Sequence, residues 1–284
     1  MCAAPKKEGR APAKKLEVDS GFVVDIRNYR REKDPRSNQV LAVYPVGAME
    51  GQERKALPVV VFIHGGGWKK GDKDQMGWMC AQYAKRGYFA ASISYRLHGE
   101  SPFPACIQDV KEAIRFIKST CASGDWPGDV NRIGVMGYSA GAHLSLMLAL
   151  TPDQSHFETE NHQDFDSGVD CAFGVSTPTD FVARKKRGHA LSLFTSEQKD
   201  DLTYIERVSP LYHIHQGQIP ITLVHGLKDR VVVPAQVESF RDRCEALGVD
   251  NFELHLEENG GHVYFFKHRA HRKIMDRFFD RHLK

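Results

Sequence analysis

The sequence lacks the patterns that mark several large classes of protein. No apolar run approaches the roughly 18 residues that a membrane-spanning helix needs, so no span is expected. The first residues carry no apolar h-region, so an intact secretory signal is not expected either. The polar Ala-, Pro- and Lys-rich stretch behind Met1 and Cys2 leaves open both a cytoplasmic origin and export with the leader removed. No GxxxxGK[ST] phosphate loop occurs. The six cysteines (Cys2, Cys80, Cys106, Cys121, Cys171 and Cys244) are scattered, with no CxxC pair and no metal-ligand spacing. Buried free thiols are the expectation, with one disulfide left open. Net charge is also nearly absent: 39 Lys and Arg against 36 Asp and Glu give +3, which supplies no electrostatic reason to expect nucleic acid or an anionic membrane as partner. The basic residues near the start (Lys6, Lys7, Arg10, Lys14, Lys15) read as a solvated tail.

What is present is enough apolar material for a large core: 41% of 284 residues, including 16 Phe, 9 Tyr and 3 Trp. Residues 1–18 read as a polar flexible tail and residues 19–284 as one domain. Strands are expected at Gly21–Tyr29, Gln39–Val46, Val59–Ile63, Tyr88–Arg96, Arg132–Gly137, Val169–Ser176, Ile219–Gly226 and Asn251–Glu258. The continuous β-branched run Val59–Ile63 suits a central strand buried on both faces. Helices fall between the strands at 73–86, 104–119, 140–150, 234–247 and 265–283. Alternating strands and helices imply an α/β class: a doubly wound, mostly parallel sheet of about eight strands with helices on both faces. In such sheets chemistry gathers beyond the carboxyl ends of the strands.

The residues just after those ends carry the motifs. Gly137-Tyr138-Ser139-Ala140-Gly141 stands between an expected strand and an expected helix, the setting of a nucleophile elbow. The turn is sharp, and glycines flank the serine where side chains would collide. A chance GxSxG in a glycine-bearing turn is the plain alternative, but it has no reason to sit between a strand and a helix. His64-Gly65-Gly66-Gly67-Trp68 follows Val59–Ile63. Acyl transfer builds negative charge on the attacked carbonyl oxygen, and a glycine run lets backbone N–H groups face it. Gly66, Gly67 and Ala140 are the candidate donors, with the choice within the glycine run left open.

A neutral alcohol needs a base. Of the 14 histidines, His262 lies in a glycine-rich loop straight after the last strand, and Asp229 lies just past Ile219–Gly226. The chain order Ser139, Asp229, His262 matches that of the elbow-type hydrolases. Asp180, in "STPTDF", is the alternative acid. His64 is expected to hold the glycine loop and His143 to pack locally. His213 and His215 alternate on an extended segment without a third metal ligand. His268 and His271 read as surface groups.

These residues, with "PVVVFIHGGGWKKGDK", "FPACIQDVKEAIRFIK", "VSPLYHI" and "LVHGLKDRVVV", resemble the α/β-hydrolase superfamily over roughly residues 22–284. The similarity is to its carboxylesterase branch with an HGGGW oxyanion loop, which includes bacterial feruloyl-esterase-like and acetyl-xylan-esterase-like domains. The resemblance implies a serine esterase acting through an acyl-enzyme, with Ser139 as nucleophile, His262 as base and Asp229 as its orienting acid, and no metal or cofactor. The expected substrate is a small-molecule or carbohydrate-linked ester with a short acyl or aromatic group, such as acetyl or feruloyl groups on plant polysaccharide. Tyr138 stands where relatives often carry Glu, His or Asp, and with Trp68 it is expected to make the pocket aromatic. The polar stretch 177–208 is expected to cover the edge of the site and shape substrate choice. Two alternatives accompany this reading: an arylformamidase-like amidase of the same fold, and a non-catalytic hydrolase-fold binding protein, which would normally have lost one of the three residues.

Overall fold

The structure, a computed structural model, describes residues 14–18, 21–30, 35–49, 56–186 and 193–284. Its centre is a sheet in the order β1-β2-β3-β5-β4-β6-β7-β8-β9. The strands are β1 (Lys14–Val18), β2 (Phe22–Asn28), β3 (Gln39–Pro45), β4 (Leu57–Ile63), β5 (Phe89–Ile93), β6 (Gly128–Tyr138), β7 (Cys171–Val175), β8 (Ile221–Gly226) and β9 (Phe252–Glu257). The first three are antiparallel to their neighbours, and β4 to β9 run parallel. Eight of the nine fall where the sequence pattern puts them. The ninth is β1, in the stretch read as tail: Lys14–Val18 pairs with β2 from Lys14↔Ile26 to Val18↔Phe22. Residues 1–13 of that stretch lie outside the described residues.

The helices are α1 (Gly77–Ala84), α2 (Ala105–Ala122), α3 (Ala140–Leu150), α4 (Phe181–Lys186), α5 (Ser196–Asp200), α6 (Leu202–Arg207), α7 (Ala235–Leu247), α8 (Tyr264–Lys267) and α9 (Arg269–Leu283). The two-residue period of the strands sorts them onto the two faces of the sheet. Val59, Val61 and Ile63 of β4 join a cluster with α2, α3 and α7, whereas Val60 and Phe62 join one with α1 and α9. A strand buried on both sides has no polar face, which is why β4 reads as an unbroken apolar run. On α2, Ile107, Val110, Ile114, Ile117 and Cys121 recur at helical spacing and are buried, each contributing about 1.5–3 kcal/mol for a large apolar side chain. Five cysteines, Cys80, Cys106, Cys121, Cys171 and Cys244, are free and buried; Cys2 is not among the described residues. Among the described residues, no helix is long and apolar enough to cross a membrane.

The connections position the site. From β4 the chain moves to β5 on one side and then crosses to β6 on the other, so the crevice for a ligand opens at β4 and β6. Register brings the strand ends level: Ile63 opposes Gly137, Tyr138 opposes Val175, and Gly226 opposes Glu257. The segments that leave β4, β6, β7, β8 and β9 therefore emerge along one edge.

Candidate active site

Ser139 leaves β6 with φ 54° and ψ −116°, a conformation that costs a non-glycine residue about 1–3 kcal/mol and persists only where its surroundings hold it. Here two hydrogen bonds do so. The Ser139 N–H donates to the Val175 carbonyl at 2.8 Å, and its carbonyl accepts the His143 N–H at 3.1 Å. The flanking glycines permit the packing. A Cβ on Gly137 would lie 2.1 Å from the Gly141 carbonyl oxygen, and one on Gly141 would lie 2.1 Å from that of Ile63. α3 can therefore start against the end of β4, which presses the serine turn onto the glycine loop.

His262 follows β9, and its Nε2 lies 3.1 Å from Ser139 Oγ. On the other side of the ring, Nδ1 lies 2.7 Å from Oδ2 of Asp229, which follows β8. A carboxylate only accepts, so Nδ1 carries the proton and the Nε2 lone pair faces the serine hydroxyl. Asp229 is buried, and burial alone would raise its pKa. The His262 hydrogen bond and the N–H groups of Val231 and Val232, 2.8 and 2.9 Å from Oδ1, outweigh that and hold the carboxyl below its usual range. Two further residues, which the sequence reading passed over, brace this pair. The Ser176 hydroxyl donates to the His262 carbonyl at 2.9 Å. The His225 Nε2 lies 2.9 Å from the Val232 carbonyl and 3.6 Å from Asp229 Oδ2. Both stand at strand ends, which is the one sequence signal that could have found them.

The glycine loop adopts positive φ at three successive residues: Gly66 (119°), Gly67 (63°) and Trp68 (58°). A Cβ on Gly66 would lie 1.9 Å from the Lys70 carbonyl oxygen. Among the described residues, the N–H groups of Gly66 and Gly67 have no acceptor, and Ala140 opens α3, where the first N–H groups have no partner within the helix. His64 supports the loop from beneath. Its Nδ1 donates to the Gly65 carbonyl at 2.7 Å, its ring stacks on Tyr95 at 4.3 Å, and its own carbonyl accepts the Tyr95 hydroxyl at 3.0 Å. Burial lowers its pKa to about 4, so the ring is neutral.

The BD-FAE family profile matches residues 48–244 of the chain. The chain belongs to the BD-FAE family. These are feruloyl-esterase-like members of the α/β-hydrolase superfamily. Esterase LipC of Mycobacterium tuberculosis is 29% identical over 210 residues, which are 68% of this chain and 49% of LipC. The chain spans about half the length of the curated relatives it matches. Two solved structures share the BD-FAE chain's fold. A truncated carbohydrate esterase from gut microbiota superposes with a TM-score of 0.79 at 23% identity, covering 95% of this chain and 99% of its own. An esterase from the planctomycete Thermogutta terrifontis superposes with a TM-score of 0.74 at 23% identity, covering 90% and 91%.

The remaining candidates fall elsewhere in this BD-FAE chain. Asp180 does not meet His262: its Oδ1 accepts the Ala183 N–H at 2.9 Å and caps α4. Trp68 and Tyr138 do not share one aromatic mouth. Trp68 is buried in the cluster with α2, α3 and α7, its ring 5.4 Å from His143 and 5.7 Å from Phe181. Tyr138 packs with the other face, its ring 5.3 Å from His262 and 4.8 Å from Phe266. His143 bonds the Val208 carbonyl at 2.9 Å, and burial lowers its pKa to about 4. His213 bonds the Arg207 carbonyl, and His215 bonds that of His213. His271 pairs with Glu257 at 2.8 Å, and its ring lies 5.4 Å from that of His268.

Proposed function

We propose that this chain is a serine carboxylesterase working through an acyl-enzyme, with Ser139, His262 and Asp229 as its catalytic triad. The observation that carries the reading is the chain of contacts from Ser139 Oγ through the His262 ring to Asp229, 3.1 and 2.7 Å, beside a loop with unpartnered N–H groups. Ser139 Oγ attacks the ester carbonyl while His262 Nε2 takes its proton. Asp229 keeps the Nδ1 proton in place and balances the imidazolium charge. The N–H groups of Gly66, Gly67 and Ala140 receive the developing oxyanion, where each donor is worth about 2.7–4 kcal/mol. His262 then passes its proton to the departing alkoxide oxygen. Water, deprotonated by the same nitrogen, attacks the acyl-enzyme and releases the acid and Ser139.

Short-acyl or aromatic esters, including acetyl and feruloyl groups on plant polysaccharide, are the proposed substrates. Two comparisons support that choice: a carbohydrate esterase shares the fold, and esterase 2 of Thermogutta terrifontis has been solved with butyrate and with propionate bound. The test is turnover of p-nitrophenyl acetate, butyrate and octanoate, of acetylated and feruloylated oligosaccharides, and of N-formylkynurenine. Hydrolysis of the short esters that disappears in Ser139→Ala upholds the proposal. A folded protein that cleaves N-formylkynurenine and no ester, or cleaves nothing, overturns it.

A further inference from the structure

Between β7 and β8 the chain lays α4 against the side of the site that holds the glycine loop. Its first residue, Phe181, places its ring 5.0 Å from His143 and 5.7 Å from Trp68. Arg184 stands one turn further on and so shares the Phe181 face of the helix. Its Nε is buried without a hydrogen-bond partner, and no described residue forms an ion pair with its guanidinium. The neighbouring Lys185 contrasts with it, bonding the Lys199 carbonyl and pairing with Asp200. The acids near Arg184 are committed elsewhere. Asp180, four residues earlier, caps α4. Asp229, whose charge acts on Arg184, uses Oδ1 for Val231 and Val232 and Oδ2 for His262. Burial lowers the Arg184 pKa, but a guanidinium keeps its proton near neutrality. Trp68 Nε1, in the same group of rings, is also buried and unpartnered. The buried Nε and Trp68 Nε1 are donors without an acceptor, while the Arg184 Nη groups, bonded to no described residue, stay open to solvent and can meet an incoming acceptor.

We propose that Arg184 is a specificity-determining residue that receives a carboxylate carried by the ester substrate. The inference rests on the esterase reading above and adds the class of ester: one bearing an anion within reach of α4. The guanidinium fork suits a carboxylate, which it can hold through two parallel N–H···O bonds.

Two substrate pairs test this on the full chain. Mono(4-nitrophenyl) glutarate against 4-nitrophenyl butyrate places the carboxylate on the acyl side. 4-Acetoxybenzoate against 4-acetoxybenzamide places it on the alcohol side. The quantity read is the ratio of kcat/KM for the anionic ester to that for its neutral partner. In Arg184→Gln that ratio is expected to fall about tenfold to a hundredfold for one pair, which identifies the side, and to fall less in Arg184→Lys, which keeps the charge but loses the fork. Equal ratios in wild type and folded Arg184→Gln, for both pairs, overturn the proposal and leave the esterase reading standing. If the wild type turns over none of the four esters, the ratio cannot be read, and the esterase reading stands or falls on the wider ester panel above. Calorimetric titration with glutarate and benzoate then decides the Arg184 site: saturable binding lost in Arg184→Gln upholds it, and absent or unaltered binding overturns it.

Discussion

At the scale of single residues, two carboxylates were candidates for the same task, and hydrogen bonding separates them. Asp229 is bound to His262 Nδ1, whereas Asp180 caps α4. Asp229→Asn should lower kcat/KM by about a thousandfold or more, because an amide reverses the tautomer that His262 needs. Asp180→Asn should retain most activity, since asparagine also caps helices. Ester hydrolysis by the two purified variants checks both. The buried histidines predict a pH effect on stability. His64 and His143 have pKa values lowered to about 4 by burial, so the unfolded chain binds protons near pH 6.5 that the folded protein refuses. Stability is therefore fully present above pH 6.5 and is lost as pH falls towards 4, by on the order of 3 kcal/mol for each group. Asp229 acts in the same direction lower down: its lowered pKa stabilises the fold above the ordinary carboxylate range and ceases to as pH falls through the folded value. Urea midpoints should drop between pH 7 and pH 4.5, and by less in His143→Gln. Chain order and strand ends were enough to single out Ser139, Asp229 and His262 in the sequence. Side-chain direction was not available there: Trp68 and Tyr138 look like one aromatic pair, yet they pack on opposite faces of the sheet.

At the scale of elements, the turn after β6 and the loop after β4 form one unit, because α3 begins where only a glycine fits beneath Ile63. Gly141→Ala should destabilise by about 1–3 kcal/mol and abolish ester hydrolysis, as overpacking displaces the helix start from the glycine loop. Gly99→Ala, where a new Cβ meets nothing within 4 Å, is the control expected to change neither. Urea denaturation and activity of the two variants make the comparison. The parallel strands announce themselves by unbroken apolar runs, and α2 by its spacing. β1 does not, because "KKLEV" is short and half polar and is made a strand by its partner β2, a pairing that local sequence does not encode. The helices α4, α5 and α6, of six, five and six residues, are likewise too short to display a period. For that reason Arg184 could not be singled out within 177–208, although that stretch as a whole was expected to cover the edge of the site and shape substrate choice.

At the scale of the whole molecule, the sheet is a device for bringing distant positions to one edge. Residues 139 and 262 are 123 apart in the chain, and 229 and 262 are 33 apart, yet level strand ends place them within hydrogen-bond reach. No local segment contains the site, so it exists only while β4, β6, β8 and β9 hold their register. The most direct measurement is therefore active-site labelling of the folded protein with a fluorophosphonate, read by intact mass and peptide mapping. The expected result is a single adduct on Ser139, absent in Ser139→Ala, slowed by orders of magnitude in His262→Ala, and lost when urea unfolds the chain. An unlabelled wild type in its folded state, or an adduct on a different residue, would contradict the assembly of Ser139, His262 and Asp229 into one reacting group.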